Sequence, residues 1–167
     1  HTREEYMQLI DKILEIIPGC GISQDIITGF PTETEDDHQD TLSLMEYVKF
    51  YFGYMFKYSE RPGTMAARKL EDDVPEETKK RRLTEIVNAQ RSDSAYRTKE
   101  TLGKIVEVLI ERESKKSDAH WSGRNPQSLV VVFPKENYQL GDFVMVNVTD
   151  CTSATLIGEA VGYSENH

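Results

Sequence analysis

Gly29-Phe30-Pro31-Thr32-Glu33-Thr34 follows directly on a short apolar run, and Phe56-Lys57-Tyr58-Ser59-Glu60-Arg61-Pro62-Gly63-Thr64 follows a second one further along the chain. Each stretch begins where a predicted strand ends, and a predicted helix lies between the two. In parallel α/β folds, the loops at the carboxyl ends of the strands carry the ligand sites. The two loops therefore predict a shared site in part of an enzyme.

Length and composition narrow the class of protein. The chain has 167 residues and a formal charge of −9, which argues against a bulk electrostatic grip on nucleic acid but leaves room for a local basic surface. Cys20 and Cys151 stand in no metal or redox spacing, and we interpret them as buried thiols in a reducing cytosol. No stretch approaches eighteen apolar residues, and the N-terminus lacks the apolar core of a signal peptide. These features predict a cytoplasmic protein with no membrane partner.

The first hundred residues predict alternating helices and strands. Thr2 and Glu5 form a capping box before a helix that ends at Pro18-Gly19, and Thr34 and Asp37 open a second helix reaching about residue 49. Buried strands are predicted over 22–28 and 51–58, and a long helix over about 75–99. This order favours parallel strands. Two parallel strands do not make a sheet buried on both faces, so we expect a fragment of a longer polypeptide.

The composition changes after residue 100. Five short strand-like runs are separated by polar turns; they span 104–111, 119–123, 129–133, 143–148 and 155–161. Such spacing predicts a small antiparallel barrel of the OB kind. The fold class is therefore α/β followed by all-β, with domains over 1–100 and 101–167.

Three groups of residues carry a family resemblance. They are Gly29-Phe30-Pro31-x-Glu33-Thr34, then Phe56 to Thr64 with Ala66, then Gly123-Arg124 with Val130-Val131-Val132-Phe133 and Gly141-Asp142-Phe143-Val144-x-Val146. Over residues 2 to about 161 the chain resembles the radical S-adenosylmethionine methylthiotransferases. The resemblance implies the last part of a parallel (β/α) radical S-adenosylmethionine barrel, followed by a five-stranded TRAM barrel that contacts RNA.

The resemblance also implies an activity, cofactors and partners. The nearest members methylthiolate isopentenyladenosine beside the anticodon of tRNA, using S-adenosylmethionine and two [4Fe–4S] clusters. Clusters need thiolates, and the family's CxxxCxxC triad is absent here, so this chain alone is expected to be inactive and to bind no metal. Its implied partners are the tRNA anticodon stem-loop and the missing N-terminal part of the same polypeptide. The alternatives are the related threonylcarbamoyladenosine enzyme and a non-catalytic RNA-binding module.

Five residues are predicted to contact the cofactor: Asp25, Ile27, Gly29, Phe56 and Tyr58. A glycine at a strand end lets a flat ring approach the backbone, although Gly29 also suits a tight turn without a ligand. The carboxylate of Asp25 among isoleucines is costly to bury. It either contacts cofactor or substrate in the lumen or makes a structural hydrogen bond to a neighbouring loop.

Charged residues offer further candidates. Arg61 can hold a phosphate bidentately, although Pro62-Gly63 could also simply shape that loop, and Glu33 suits either the site or the macrodipole of the next helix. The basic residues of the long helix either follow a phosphate backbone or are balanced by nearby acids, and we favour the second.

In the barrel, cations and aromatics predict RNA contacts: Lys115, Lys116, Trp121, Arg124 and Phe133. Either aromatic ring could instead belong to the core. The histidines, His1, His38, His120 and His167, lack metal-ligand spacing and are predicted to lie at the surface.

Overall fold

The computed structural model describes residues 2–165, and these form two compact units. The first comprises residues 2–16 and 23–93, and the second comprises residues 17–22 and 94–165. Among the described residues, no helix is both long and apolar enough to cross a membrane.

The first unit contains the predicted helices and strands in the predicted order, with one additional short helix before the last. They are α1 (Arg3–Ile16), β1 (Ser23–Thr28), α2 (Glu35–Val48), β2 (Phe52–Lys57), α3 (Met65–Lys69) and α4 (Glu76–Glu100), whose last residues belong to the second unit. Both predicted capping boxes are present: Glu5 N donates to Thr2 Oγ1 at 3.2 Å, and Asp37 N donates to Thr34 Oγ1 at 3.2 Å. Each box satisfies amide groups that a helix start leaves without an intrahelical partner.

Strands β1 and β2 pair in parallel, as predicted, and form a two-stranded sheet. The core of the first unit is apolar and includes Met45, Phe50 and Ile86, each 1% exposed. Gln90 of α4 donates to the carbonyl oxygen of Phe50 at 3.0 Å and accepts from Gln24 of β1 at 3.0 Å. Helix α4 is therefore fixed both to β1 and to the segment that leads into β2.

The short helix α3 was not predicted. It follows the Arg61-Pro62-Gly63 turn and is capped by Thr64, whose hydroxyl accepts from Ala67 N at 3.3 Å. With five residues it is too short to show a helical hydrophobic period, and the cap is its main sequence signal.

The second unit contains a closed five-stranded barrel. Its strands are β3 (Ile105–Ser114), β4 (Ser117–Arg124), β5 (Val130–Pro134), β6 (Phe143–Cys151) and β7 (Thr155–Tyr163), ordered β3-β4-β5-β7-β6 around the barrel. The interior is filled by apolar side chains, and Val108, Val131 and Val144 are each 0% exposed. The predicted five-stranded barrel is confirmed.

The prediction of a wholly antiparallel barrel is wrong for one pair of strands. β5 pairs with β7 in parallel through Val130–Thr155, Val131–Leu156 and Val132–Ile157. Strand directions cannot alternate all the way around a ring with an odd number of strands, so a closed five-stranded barrel needs at least one parallel pair. The connection through β6 supplies that pair.

Gly123 tests the packing of this barrel. A Cβ atom there would collide with the carbonyl oxygen of Leu109 on the neighbouring strand and with Cγ1 of Val108. We expect Gly123→Ala to lower the free energy of unfolding of the second unit by about 1–3 kcal/mol, the usual cost of overpacking. Urea unfolding followed by the fluorescence of Trp121 measures this cost. The exposed Asp118→Ala on the same strand is the control, and equal midpoints for the two variants would contradict the prediction.

Candidate functional site

One face of the β1–β2 sheet is exposed. Ile27 lies opposite Phe56 and Asp25 lies opposite Tyr54 in the ladder, and the three apolar side chains of these pairs are more than half exposed. Side chains of the opposite face, such as Gln24, meet α4 instead. The prediction that both strands are buried is therefore wrong for one face, because helices cover only the other.

Asp25 is exposed on this face and is not a buried carboxylate. Its carboxylate forms no hydrogen bond or ion pair with residues 2–165. The structural hydrogen bond to a neighbouring loop, one of the two alternatives for this residue, is therefore not formed. Asp25 points into open space, where its charge stays solvated.

A cavity of about 670 Å³ opens at the carboxyl ends of the two strands. We call it the rim cavity, and it is lined by Asp25, Ile27, Phe30, Phe56, Lys57, Tyr58, Ser59, Arg61, Thr64 and Ala66. The structure thus brings Asp25, Ile27, Phe56, Tyr58 and Arg61 together at one edge of the sheet. Gly29, the fifth predicted cofactor contact, is not in the lining.

The rim cavity combines flat apolar surfaces with single charges. The Phe30 ring meets Tyr58 edge to face, with centroids 5.2 Å apart. Phe30 was not among the predicted contacts, although its place in the first loop could have indicated it. Arg61 is exposed and forms no ion pair within residues 2–165. Its guanidinium group is therefore available to an anionic ligand.

Gly29 has a backbone role. It is buried with φ of +72°, and a Cβ atom there would collide with the side chain of Lys79. Only glycine combines this left-handed conformation with so close an approach. The tight-turn alternative thus describes Gly29 itself, while its neighbours line the cavity.

The carboxylate of Glu33 organises the first loop. Its Oε2 accepts from the amides of Gly29 at 2.8 Å and Phe30 at 3.4 Å, and its Oε1 accepts from Thr28 Oγ1 at 3.2 Å. Arg82 of α4 donates to Oε1 at 2.9 Å. The alternative that Glu33 stabilises the macrodipole of α2 does not explain these contacts. The carboxylate binds residues 28–30 of the preceding loop and not the first turn of α2.

The basic residues of α4 are largely consumed by ion pairs, which confirms the balanced-helix alternative. Arg81 pairs with Glu35 at 2.6 Å and with Glu85 at 2.9 Å, and Lys79 pairs with Asp72 at 2.5 Å. The hydrogen bond from Arg81 lowers the pKa of Glu35 to about 2. Most of these acids lie outside α4, so sequence neighbours alone did not reveal them.

His38 is buried, which corrects the prediction that it lies at the surface. Its Nε2 lies 2.6 Å from Oε2 of Glu85, and Nδ1 has no hydrogen-bond partner among residues 2–165. This hydrogen bond is the main cause of the lowered pKa of Glu85. His120 is partly exposed, and His1 and His167 lie outside the described residues. Cys20 and Cys151 are only partly buried, not fully as predicted.

Lys115 and Lys116 lie on a groove of about 390 Å³ on the barrel surface, which we call the basic groove. Its lining is Arg112, Ser114, Lys115, Lys116, Ser117, His120, Ser122, Val130, Val132, Thr152, Thr155 and Ile157. Arg112, Lys115 and Lys116 form no ion pair within the described part of the chain. Arg112 was not among the predicted RNA contacts, and it lies between Glu111 and Glu113 in sequence. His120 was predicted only to lie at the surface.

The remaining predicted RNA contacts lie away from the basic groove. Phe133 is 0% exposed and belongs to the barrel core, so its prediction as a base-stacking ring is wrong. Trp121 pairs with Phe133 on the interior side of its strand, and its Nε1 donates to the carbonyl oxygen of Tyr138 at 3.0 Å. Arg124 is paired with Glu111 at 3.4 Å.

A search of residues 2–165 finds no group of three or more His, Cys, Asp or Glu side chains that could hold a metal ion. Each unit has its own candidate site, the rim cavity in the first unit and the basic groove in the second.

Comparisons with known proteins identify both units. The family model "TRAM domain" matches residues 99–161, which include most of the barrel. The chain is 70% identical over 167 residues to the tRNA-2-methylthio-N(6)-dimethylallyladenosine synthase of Christiangramia forsetii. It is 66% identical over 164 residues to the same synthase of Flavobacterium johnsoniae and 52% identical over 161 residues to that of Chloroherpeton thalassium.

Coverage in these comparisons is unequal. The alignments include 100%, 98% and 96% of this chain, but only 35%, 34% and 36% of the respective relatives. The chain therefore spans about a third of the length of the curated relatives it matches. An α/β segment joined to a TRAM barrel defines the class as a TRAM-domain protein. More closely, the chain is similar over its whole length to the C-terminal part of the tRNA-2-methylthio-N(6)-dimethylallyladenosine synthases.

Proposed function

We propose that the complete protein attaches a methylthio group to N6-dimethylallyladenosine, also called isopentenyladenosine, beside the anticodon of tRNA in the cytoplasm. The observation that carries this proposal is the 70% identity over the whole chain to a relative named for that synthesis. In this proposal, residues 1–100 are the last part of a radical S-adenosylmethionine barrel, and residues 101–167 are the RNA-binding part.

The rim cavity fits the adenosyl end of S-adenosylmethionine. Ile27 and Phe56 offer exposed apolar surface to a flat adenine ring, and Asp25 offers a free carboxylate to a hydroxyl or amino group. The largely buried ring of Tyr58 also lines the cavity. When bound, S-adenosylmethionine supplies the radical chemistry, and the two [4Fe–4S] clusters of the family need cysteine ligands from outside this sequence.

Arg61 lies at the same cavity, in the loop after β2. A guanidinium group holds a phosphate oxygen pair with two parallel hydrogen bonds, and Arg61 has no carboxylate partner within residues 2–165 that would compete. We assign it to a phosphate group of the tRNA, so that it orients the nucleoside toward the cofactor.

The basic groove is the proposed contact of the barrel with the tRNA anticodon stem-loop. Arg112, Lys115 and Lys116 surround the groove without ion pairs to the described residues, whereas Arg124 and Lys135 of the same barrel are paired with acids. Unpaired cations release counterions when they meet phosphates, and hydroxyl groups such as those of Ser117 and Thr155 add hydrogen bonds to the backbone.

The exposed face of the β1–β2 sheet supports a further part of this proposal. Parallel strands are normally covered on both faces, and large apolar side chains exposed together mark an interaction surface. We assign this face to the N-terminal part of the same polypeptide, which would complete the barrel.

The proposed activity can be tested in cells. The complete gene, expressed in a bacterial strain that lacks its own synthase, should restore 2-methylthio-N6-dimethylallyladenosine in tRNA, detected by mass spectrometry of the nucleosides. Residues 1–167 alone, without the cysteine triad, should give no such product. Methylthiolation of threonylcarbamoyladenosine instead, or tRNA binding by the complete protein without modification, would refute the proposal.

Arg61 can be tested in the complete protein. Arg61→Ala should lower tRNA modification by about 10- to 100-fold, the effect of losing one or two hydrogen bonds to a charged group. Cleavage of S-adenosylmethionine should continue, because Arg61 is assigned to the RNA. Lys69→Ala removes a nearby exposed cation and is the control. Undiminished modification by Arg61→Ala would mean that Arg61 only shapes its loop.

The basic groove predicts a change in salt dependence. In the complete protein, the double variant Lys115→Ala/Lys116→Ala should weaken binding of the anticodon stem-loop and flatten the plot of log affinity against log salt by about 1 to 2 units. Fluorescence anisotropy over a series of KCl concentrations measures both quantities. Lys104→Ala removes an exposed barrel cation outside the groove and should leave the slope unchanged. Equal slopes for the double variant and the wild type would exclude the groove as a phosphate contact.

A further inference from the structure

We propose that Arg82 is a positioning residue for cofactor binding, acting through the Glu33 carboxylate to hold the first rim loop, residues 28–34, in the shape that S-adenosylmethionine requires. This inference rests on the proposed function of the rim cavity. Arg82 lies on α4, far along the chain from that loop, and does not line the cavity.

The contact between the two residues is buried and oriented. The Arg82 side chain is 5% exposed and that of Glu33 is 15% exposed. Nη1 of Arg82 donates to the carbonyl oxygen of Glu33 at 3.1 Å and to its Oε1 at 2.9 Å, and Nη2 donates to Oε2 of Glu35 at 3.2 Å. The guanidinium plane therefore fixes both the backbone and the side chain of Glu33.

The other end of the Glu33 carboxylate reaches the rim itself. Its Oε2 accepts from the amides of Gly29 and Phe30, which follow directly after Ile27-Thr28. Gly29 has positive φ, and Phe30 lines the rim cavity. The Glu33 carboxylate thus links Arg82 of α4 to Gly29 and Phe30 at the rim cavity.

The segment before Arg82 adds two supports to the same loop. Asp73 accepts from the amide of Thr32 at 2.7 Å, and the side chain of Lys79 covers Gly29. The ammonium group of Lys79 also lies 5.3 Å from the centroid of the Tyr58 ring, in the second loop of the cavity. Residues 73–82 therefore hold both loops from behind.

Stability alone does not account for this arrangement. A buried ion pair adds little net stability, because desolvation offsets the attraction. The neighbouring Arg81 also binds Glu35, but its side chain is 45% exposed and it makes no contact with Glu33. Two adjacent arginines thus share a partner, yet only Arg82 of these two is connected to the rim.

The test compares Arg82→Ala, Arg82→Lys and Arg81→Ala in the complete protein. Hydrogen exchange, which needs no cofactor, should show faster exchange at the amides of Gly29 and Phe30 in Arg82→Ala and unchanged exchange in Arg81→Ala. Affinity for S-adenosylmethionine, measured by calorimetry, should fall by about 10- to 100-fold in Arg82→Ala, as for other residues that orient a binding group. Arg82→Lys should recover part of both, since lysine keeps the charge but cannot bridge two carboxylates. Affinity for the anticodon stem-loop should not change.

Glu33→Gln keeps the test informative if Arg82→Ala fails to fold. The side-chain amide oxygen that this substitution introduces can still accept one hydrogen bond, so the fold should survive, but the charged link to Arg82 is lost. Folded Arg82→Ala or Glu33→Gln with the exchange rates and cofactor affinity of Arg81→Ala would overturn the inference. A wild-type protein that binds S-adenosylmethionine but modifies no tRNA would refute the proposed function and leave the positioning role of Arg82 to be decided by exchange and binding alone.

Discussion

The parallel pairing of β1 with β2 is the constraint on which the candidate site depends. Parallel strands end at the same edge, so the pairing of Ile27 with Phe56 brings two loops that are distant in sequence to one cavity. The same pairing separates the sheet into two faces. Helices cover one of them, and the other keeps Ile27, Tyr54 and Phe56 exposed. An antiparallel pairing would have placed the two loops at opposite ends of the sheet.

Ion pairs engage the cations of some regions of the chain and leave those of others without a partner. The chain has a net charge of −9, and its acids neutralise α4: Arg81 and Arg82 bind Glu33, Glu35 and Glu85. Because these cations pair with acids, the basic stretch of α4 carries less free positive charge than its number of lysines and arginines suggests. Among the cations that lack such partners within residues 2–165, Arg61 lies at the rim cavity, and Arg112, Lys115 and Lys116 lie at the basic groove. Local pairing, not the local count of lysine and arginine, therefore indicates where an anionic ligand can bind.

Much of the fold could be predicted from the sequence, because its signals are local. Capping boxes and hydrophobic periods indicated the long helices and the strands, whereas α3 is a single turn and has no period. The parallel pair β5–β7 could have been inferred from the odd strand number. Long-range contacts could not be inferred: nothing near Glu33 in sequence indicates Arg82, and nothing near His38 indicates Glu85. The sequence also does not show which face of a strand is covered. Burial of the Asp25 carboxylate was therefore expected, with its cost in free energy, but the carboxylate is exposed. For the same reason, the sequence did not show whether Phe133 lies in the core or at the surface. The structure of the barrel shows that it is a core residue.

The size of the exposed face indicates that a small ligand cannot be its only cover. The rim cavity includes Ile27 and Phe56, but Phe52 and Tyr54 of the same face lie outside its lining, 40% and 63% exposed. Apolar surface left in water costs about 25 cal/mol per Å² relative to its burial, so these two rings favour contact with further protein. A cofactor bound at the loop end of the strands and protein bound at the opposite end would together cover the face. The two covers differ in chemistry, because charged Asp25 and Arg61 accompany the first, whereas Phe52, Tyr54 and the uncharged Ser23 accompany the second. We therefore expect the boundary between ligand and protein to run across β2 between Tyr54 and Phe56.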